Sequence, residues 1–248
     1  MEAAEYRRMA AVEKSHWWYL ATRALLRQFL LPEIIKSGGA SPRRFLDAGC
    51  GTGAIGAWLA EWGSVVALDY APEALEIYGE THPEAQLLQG NIGAVQLPDE
   101  SVDAVLCVTV LYHEAVAEPE QAVRELARVV RPGGLVCLLE PGVRQLRRGH
   151  DRETHAARRF SRGDLEQLAL GAGLEIVRST GAYSFLIPPA WMKTKLEHNQ
   201  AHSDLANNAS GLFGLLGILA WCERQLLRLI SLPFGLSVFV IARRKTAV

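Results

Sequence analysis

The sequence predicts an α/β protein built on a doubly wound sheet of seven strands. Short apolar runs ending at Gly or Asp recur along the chain, most of them separated by helix-like stretches, which is the rhythm of a parallel sheet covered on both faces. The first run closes on a turn holding three glycines in five residues, FLDAGCGTG at 45–53. A hydrophobic fraction of 49% beside 21% charged residues is that of a folded body with a sizeable core.

In chain order, residues 2–36 are expected to form two helices, because Ala, Glu, Arg and Leu dominate and the first Gly is Gly38. The strands are RRFLDAG, SVVALD, AQLLQG, SVDAVLCVT and GLVCLLE, with AIGAWLAEW and EQAVRELARVV as helices among them. Beyond residue 160, SRGDLEQLALGAG is a helix capped by Ser161 and closed by Gly171 or Gly173, and the strand LEIVRSTGAY follows. SVFVIARR at 237–244 is the last strand, reached through a long non-sheet insertion. This divides the chain into an N-terminal helical cover at 1–40, a core at 41–183 and 237–248, and a helical insertion at 184–236.

A net charge of -1 supplies no general field for nucleic acid. Cys50, Cys107, Cys137 and Cys222 are scattered without a zinc-type spacing, and the N-terminus lacks the apolar core of a signal peptide, which together suit a reducing cytoplasm. The longest apolar run, 211–222, is shorter than the roughly 18 to 20 residues of a spanning helix. No transmembrane segment is expected; peripheral membrane contact and a homodimer stay open.

Glycines after the first strand let the backbone itself touch a ligand, and the following helix N-terminus would favour an anionic group. Gly49-Cys50-Gly51-Thr52-Gly53-Ala54 also fits the dinucleotide pattern, with Asp69 at the end of the second strand to hold a ribose. Asp47 separates the readings. A carboxylate beside the loop repels a pyrophosphate but favours a cofactor end bearing an ammonium and a sulfonium.

Four blocks in order, FLDAGCGTG, VVALDYAPEAL, LPDESVDAVLC with VLYHE, and ARVVRPGGLVCLLEP, resemble the class I S-adenosylmethionine-dependent methyltransferases across residues 43–183. The resemblance implies a Rossmann-like sheet, mostly parallel with an antiparallel last strand, and S-adenosyl-L-methionine as cofactor. It implies a cofactor site of Asp47, Gly49, Cys50, Gly51, Gly53, Asp69, Tyr70, Asn91, Ile92 and Cys107. Asp47 would organise the ammonium, Asp69 the ribose and Tyr70 the adenine. Asn91 stands where the family usually has an acid, and its amide oxygen can still accept from the adenine amino group.

Methyl transfer is an in-line displacement in which positioning does most of the work. An alcohol, phenol or ammonium acceptor also needs a base, and the candidates are His113 with Tyr112 after the fourth strand and His155 after the fifth. Arg158 and Arg159 belong to an arginine-rich stretch suited to an acidic acceptor. The insertion, with Trp191, Phe213 and Trp221 as candidate walls, is placed over the active site by topology. Trp17, Trp18 and Arg23 are the pocket candidates of the N-terminal cover. No metal site is expected. The leading reading is a metal-independent methyltransferase of a small or lipid-like acceptor at oxygen or nitrogen. Its competitors are a non-catalytic cofactor-binding module and an NAD-dependent oxidoreductase.

Overall fold

The computed structural model describes residues 3–38, 42–144, 146, 156–196 and 210–246. The N-terminal stretch forms two helices, α1 (Ala3–Glu13) and α2 (Trp17–Lys36). The break falls at His16, whose Nδ1 caps α2 by accepting the Trp18 N–H. Next come β1 (Arg43–Ala48), a short 3-10 turn (Ala57–Glu61), β2 (Gly63–Asp69), α3 (Pro72–Thr81), β3 (Gln86–Gln89) and β4 (Val102–Val108). The chain continues through α4 (Pro119–Val129), β5 (Val130–Pro141), α5 (Arg162–Gly171), β6 (Leu174–Ala182), α6 (Ile187–Leu196), α7 (Ser210–Leu226) and β7 (Ser237–Arg244).

The seven strands lie in the order β3-β2-β1-β4-β5-β7-β6. The β1, β2, β3, β4 and β5 pairings are parallel, whereas β7 runs antiparallel to both β5 and β6. Thus β6 runs in the same direction as β5, as the expected topology requires. Ser161 closes a capping box with Asp164 at the start of α5.

Apolar side chains on the two faces of the sheet form separate cores. One joins Leu46, Val105 and Val136 to Val123 and Leu126 of α4 and Leu165 of α5. The other joins Phe45, Leu106 and Phe239 to Leu26 and Leu30 of α2, Trp58, and Ala220 of α7. The insertion helix therefore packs against α2 through one side only. Its opposite side leaves Leu215, Ile218 and Trp221 exposed. Among the described residues no helix is long and apolar enough to cross a membrane.

One expected element is replaced. AIGAWLAEW does not continue the glycine loop as an α-helix but forms only the five-residue 3-10 turn. Gly56 shows the cause: a Cβ there would fall 2.0 Å from Asp47 Oδ2. The chain must pass directly over the Asp47 carboxylate, and that approach displaces the regular first turn. The expected contribution of a helix dipole at this loop is withdrawn with the helix.

Candidate active site

A cavity of about 900 Å³ opens at the ends of β1, β2, β4 and β5. Its first half is made by the glycine loop. Gly49 and Cys50 donate N–H bonds to Leu68 O at 2.7 and 3.0 Å, which ties the loop to the end of β2. Gly49 has φ of 72°, and a Cβ on it would lie 2.3 Å from Val110 Cγ2, so both the conformation and the packing require glycine. Asp69 accepts from Gly51 N (2.8 Å) through Oδ2 and from Ala71 N (2.9 Å) through Oδ1. Each oxygen keeps a second lone pair for a ligand hydroxyl.

Asp47 lies below this loop, buried, and its Oδ2 has no hydrogen-bond partner. Burial, and then the charge of Asp69, push its pKa up to about 7. Such an orphaned carboxylate is costly unless a cation or donor completes it. Helix α1 closes over the same end. Glu13 accepts from Thr52 Oγ1 at 2.5 Å, and Tyr6 and Met9 line the cavity. Burial raises the Glu13 pKa against the Thr52 bond and the charge of Arg23, and burial followed by Asp69 raises Tyr6 to about 12.

Tyr70 stands at the cavity edge, 71% exposed. Asn91 Oδ1 accepts from Gly93 N at 2.7 Å, so this side chain caps its own turn, while Ile92 is buried beside it. Cys50 lines the cavity, and burial raises its thiol pKa well above the ordinary value. It is therefore a protonated filler.

The other half is carried by the loop after β4. Thr109 adopts a left-handed conformation (φ 53°), and the next three N–H groups converge on Glu140 of β5. Oε1 accepts from Val110 and Leu111 at 3.0 and 2.9 Å, and Oε2 from Tyr112 at 3.2 Å. Glu140 is fully buried, and burial raises its pKa to about 8 against the pull of those three bonds and of Arg158. From the other side, Arg158 Nη1 donates to Leu111 O (3.1 Å) and Val116 O (2.5 Å). The Ala157 and Arg158 N–H groups both reach Tyr112 O. This clamp presents Tyr112 and His113 to the cavity. His113 Nδ1 accepts the Ala115 N–H at 3.1 Å.

Glu140 carries no site signal in the sequence. Its only trace there is a lone acid ending an otherwise apolar strand. Arg158 and Arg159 do line the cavity, but Arg158 grips backbone carbonyls, and Arg159 Nη1 donates to Gly142 O. Trp17 and Trp18 also line it, with Trp17 edge-on to Tyr183. Tyr183 bonds Thr22 through its hydroxyl at 2.9 Å. Leu186, Pro189, Ala190 and Leu216 of the insertion line the same space. Glu223 of α7 anchors that cover by accepting from the Tyr183 and Ser184 N–H groups.

Four expected site residues lie elsewhere. Cys107 faces the sheet core and is fully buried, because the alternation of β4 turns it away from the cavity. Arg23 is not part of the wall. Trp191 is 48% exposed, since α6 turns Ala190 inward in its place. Trp221, the other insertion tryptophan, is likewise solvent-facing. His155 lies outside the described residues, as do His150, Arg147, Arg148, Arg152 and the side chain of Phe213. Among the described residues no group of three His, Cys, Asp or Glu could hold a metal ion.

Residues 46–138 match the family model described as a methyltransferase domain. An uncharacterized methyltransferase of Mycobacterium tuberculosis is 43% identical over 101 residues, 40% of each chain. The malonyl-[acyl-carrier protein] O-methyltransferase of Serratia marcescens is 35% identical over 115 residues, 46% of this chain and 44% of that one. The matches thus span less than half the length of these curated relatives. In fold, the chain is similar to an S-adenosylmethionine-dependent methyltransferase of Thermotoga maritima. That structure gives a TM-score of 0.60 at 18% identity, covering 98% of this chain and 95% of the other.

Proposed function

We propose that this chain is a class I S-adenosylmethionine-dependent methyltransferase, a reading supported by its matched methyltransferase domain and its fold, and that it transfers a methyl group to a small or lipid-like acceptor without a metal. The observation that carries the reading is the buried, unpartnered Asp47 oxygen beneath glycines at positive φ. A cofactor ending in an amino acid fits it: an ammonium can satisfy the acid, directly or through water, while bare backbone admits the rest. A pyrophosphate does not fit, since Asp47 and Asp69 would repel it.

Asp69 would hold the ribose hydroxyls through its remaining lone pairs. Tyr70 and Ile92 would flank the adenine, and Asn91 would accept from its amino group. S-adenosylmethionine supplies a methyl group on a positively charged sulfur. The chain's own residues orient the acceptor and exclude water, which is most of what such a displacement asks. Glu140 and Arg158 hold the loop bearing Tyr112 and His113 in place. The cover from α2, α6 and α7 shuts solvent from the reacting atoms.

Transfer to oxygen is supported by the Serratia relative, whose name states that chemistry. Four unpaired cysteines suit a reducing, cytoplasmic compartment. Calorimetry with S-adenosylmethionine tests the reading: binding is expected, and no heat at millimolar ligand ends it.

A further inference from the structure

The amino-acid end of S-adenosylmethionine is a zwitterion, and the charged groups of the cavity provide for only half of it. Asp47 and Glu13 suit the ammonium, the first from beneath the glycine loop and the second by reaching that loop at Thr52. Among the described residues the carboxylate has no such counterpart in the wall. Arg158 and Arg159 line the cavity, but each guanidinium is bonded to backbone carbonyls. The charge of Arg23 reaches Glu13, yet Arg23 is not part of the wall. The loop amides are spent as well, Gly49 and Cys50 on Leu68 O, Gly51 on Asp69 and Gly53 on Cys50 O. A carboxylate without a cation needs a neutral donor instead.

Tyr19 of α2 carries one. It lines the cavity while only 8% exposed, and among the described residues its hydroxyl has no hydrogen-bond partner. His16 and Trp18 fix its ring edge-on, with centroids 5.9 and 5.0 Å away. Burial, and then the charges of Glu13 and Tyr112, push the phenol above its ordinary value, so it stays protonated. Those neighbours also locate it: Glu13 is bonded to the glycine loop, so Tyr19 stands at the amino-acid end. Tyr6, a second phenol of the wall, has Asp69 and Glu73 as its nearest charges and belongs to the ribose side. We propose that the Tyr19 hydroxyl donates a hydrogen bond to the carboxylate of bound S-adenosylmethionine; this rests on the methyltransferase reading above. A buried phenol held between two rings loses little freedom on forming that bond, and an O–H on a carboxylate is a charge-assisted contact. The bond is indifferent to the methyl group, so the demethylated product is held by it equally.

Calorimetry on the full chain compares S-adenosylmethionine with its decarboxylated analogue, which keeps the ammonium and the sulfonium. Tyr19→Phe should weaken S-adenosylmethionine by roughly tenfold or more, the worth of a hydrogen bond to a charged group, and change the analogue by less than about twofold. S-adenosylhomocysteine, which keeps the carboxylate, should weaken in step with S-adenosylmethionine. Equal losses for S-adenosylmethionine and the analogue, or no loss for either, overturn the proposal, whereas an unsubstituted chain that binds none of the three overturns the parent reading. Arg23→Gln should treat the analogue and S-adenosylmethionine alike; a selective loss there would give the carboxylate to the guanidinium and overturn the proposal too. The ligand-free melting temperature of Tyr19→Phe should match that of the unsubstituted chain, because the deleted hydroxyl bonds nothing in the fold. A marked fall would assign that hydroxyl a partner within the protein and counts against its availability to the cofactor.

Discussion

The glycine-loop end of the cavity is shaped by backbone, with Gly49 pressed on Val110 and Gly56 on Asp47 because no side chain fits. The far end is shaped by side chains, as Glu140 and Arg158 reach in from β5 and from the segment before α5 to hold the 110–116 loop. The first design is local in sequence and rigid by exclusion. The second joins residues some thirty to forty-seven positions apart and depends on buried polar partners. A fold that keeps one cofactor can vary its acceptor by changing only the second.

The comparison breaks most sharply at Glu140. Glu140→Ala leaves three N–H groups without their carboxylate and should cost ~3 kcal/mol or more, read from urea unfolding. A loss under about 1 kcal/mol would mean that the loop stands without its clamp. Gly49→Ala should weaken S-adenosylmethionine by roughly tenfold or more, because the added methyl must displace the Val110 side chain and Gly49 itself sits in the left-handed region. Unchanged calorimetric affinity would remove steric exclusion as the principle of that end. Asp69→Ala is expected to cost about tenfold in the same measurement, the worth of a charged hydrogen bond. It should leave the 110–116 loop intact, which amide exchange can check.

A further effect, read on a different axis, is on pH. Asp47 and Glu140 have folded pKa values of about 7 and about 8, above their unfolded values. The folded state therefore holds more protons across that interval, and stability falls as pH rises from about 4 toward 8. Without ligand, the melting temperature should decline through this window. Cofactor affinity should instead rise through pH 7, as Asp47 gains the charge that an ammonium needs. Flat profiles in both would show that Asp47 is not the cation's partner.

What could be read from the sequence follows the same division. All seven strands, the capped α5 and the acids Asp47 and Asp69 beside the glycine loop were legible, because each depends on neighbours a few residues away: FLDAGCGTG states its own turn, and Ser161 its own cap; Glu13, which reaches Thr52 from α1, was not. The 3-10 turn was not, because AIGAWLAEW has helical composition and only the passage of Gly56 over Asp47 overrides it. The purpose of Arg158 was also hidden. A guanidinium that suits an anion suits backbone carbonyls equally, and its choice of Leu111 and Val116 depends on the folded path of the chain. Cys107 and Trp191 failed for a third reason: facing is set by strand register and helix rotation, which a motif does not specify.

Strand β7 bridges β5 and β6, yet it follows the whole helical insertion in the chain. During synthesis on the ribosome β6 therefore emerges with no neighbour to pair with, and its open edge persists until β7 arrives. A nascent chain at that stage would be the species most exposed to aggregation and to chaperone capture.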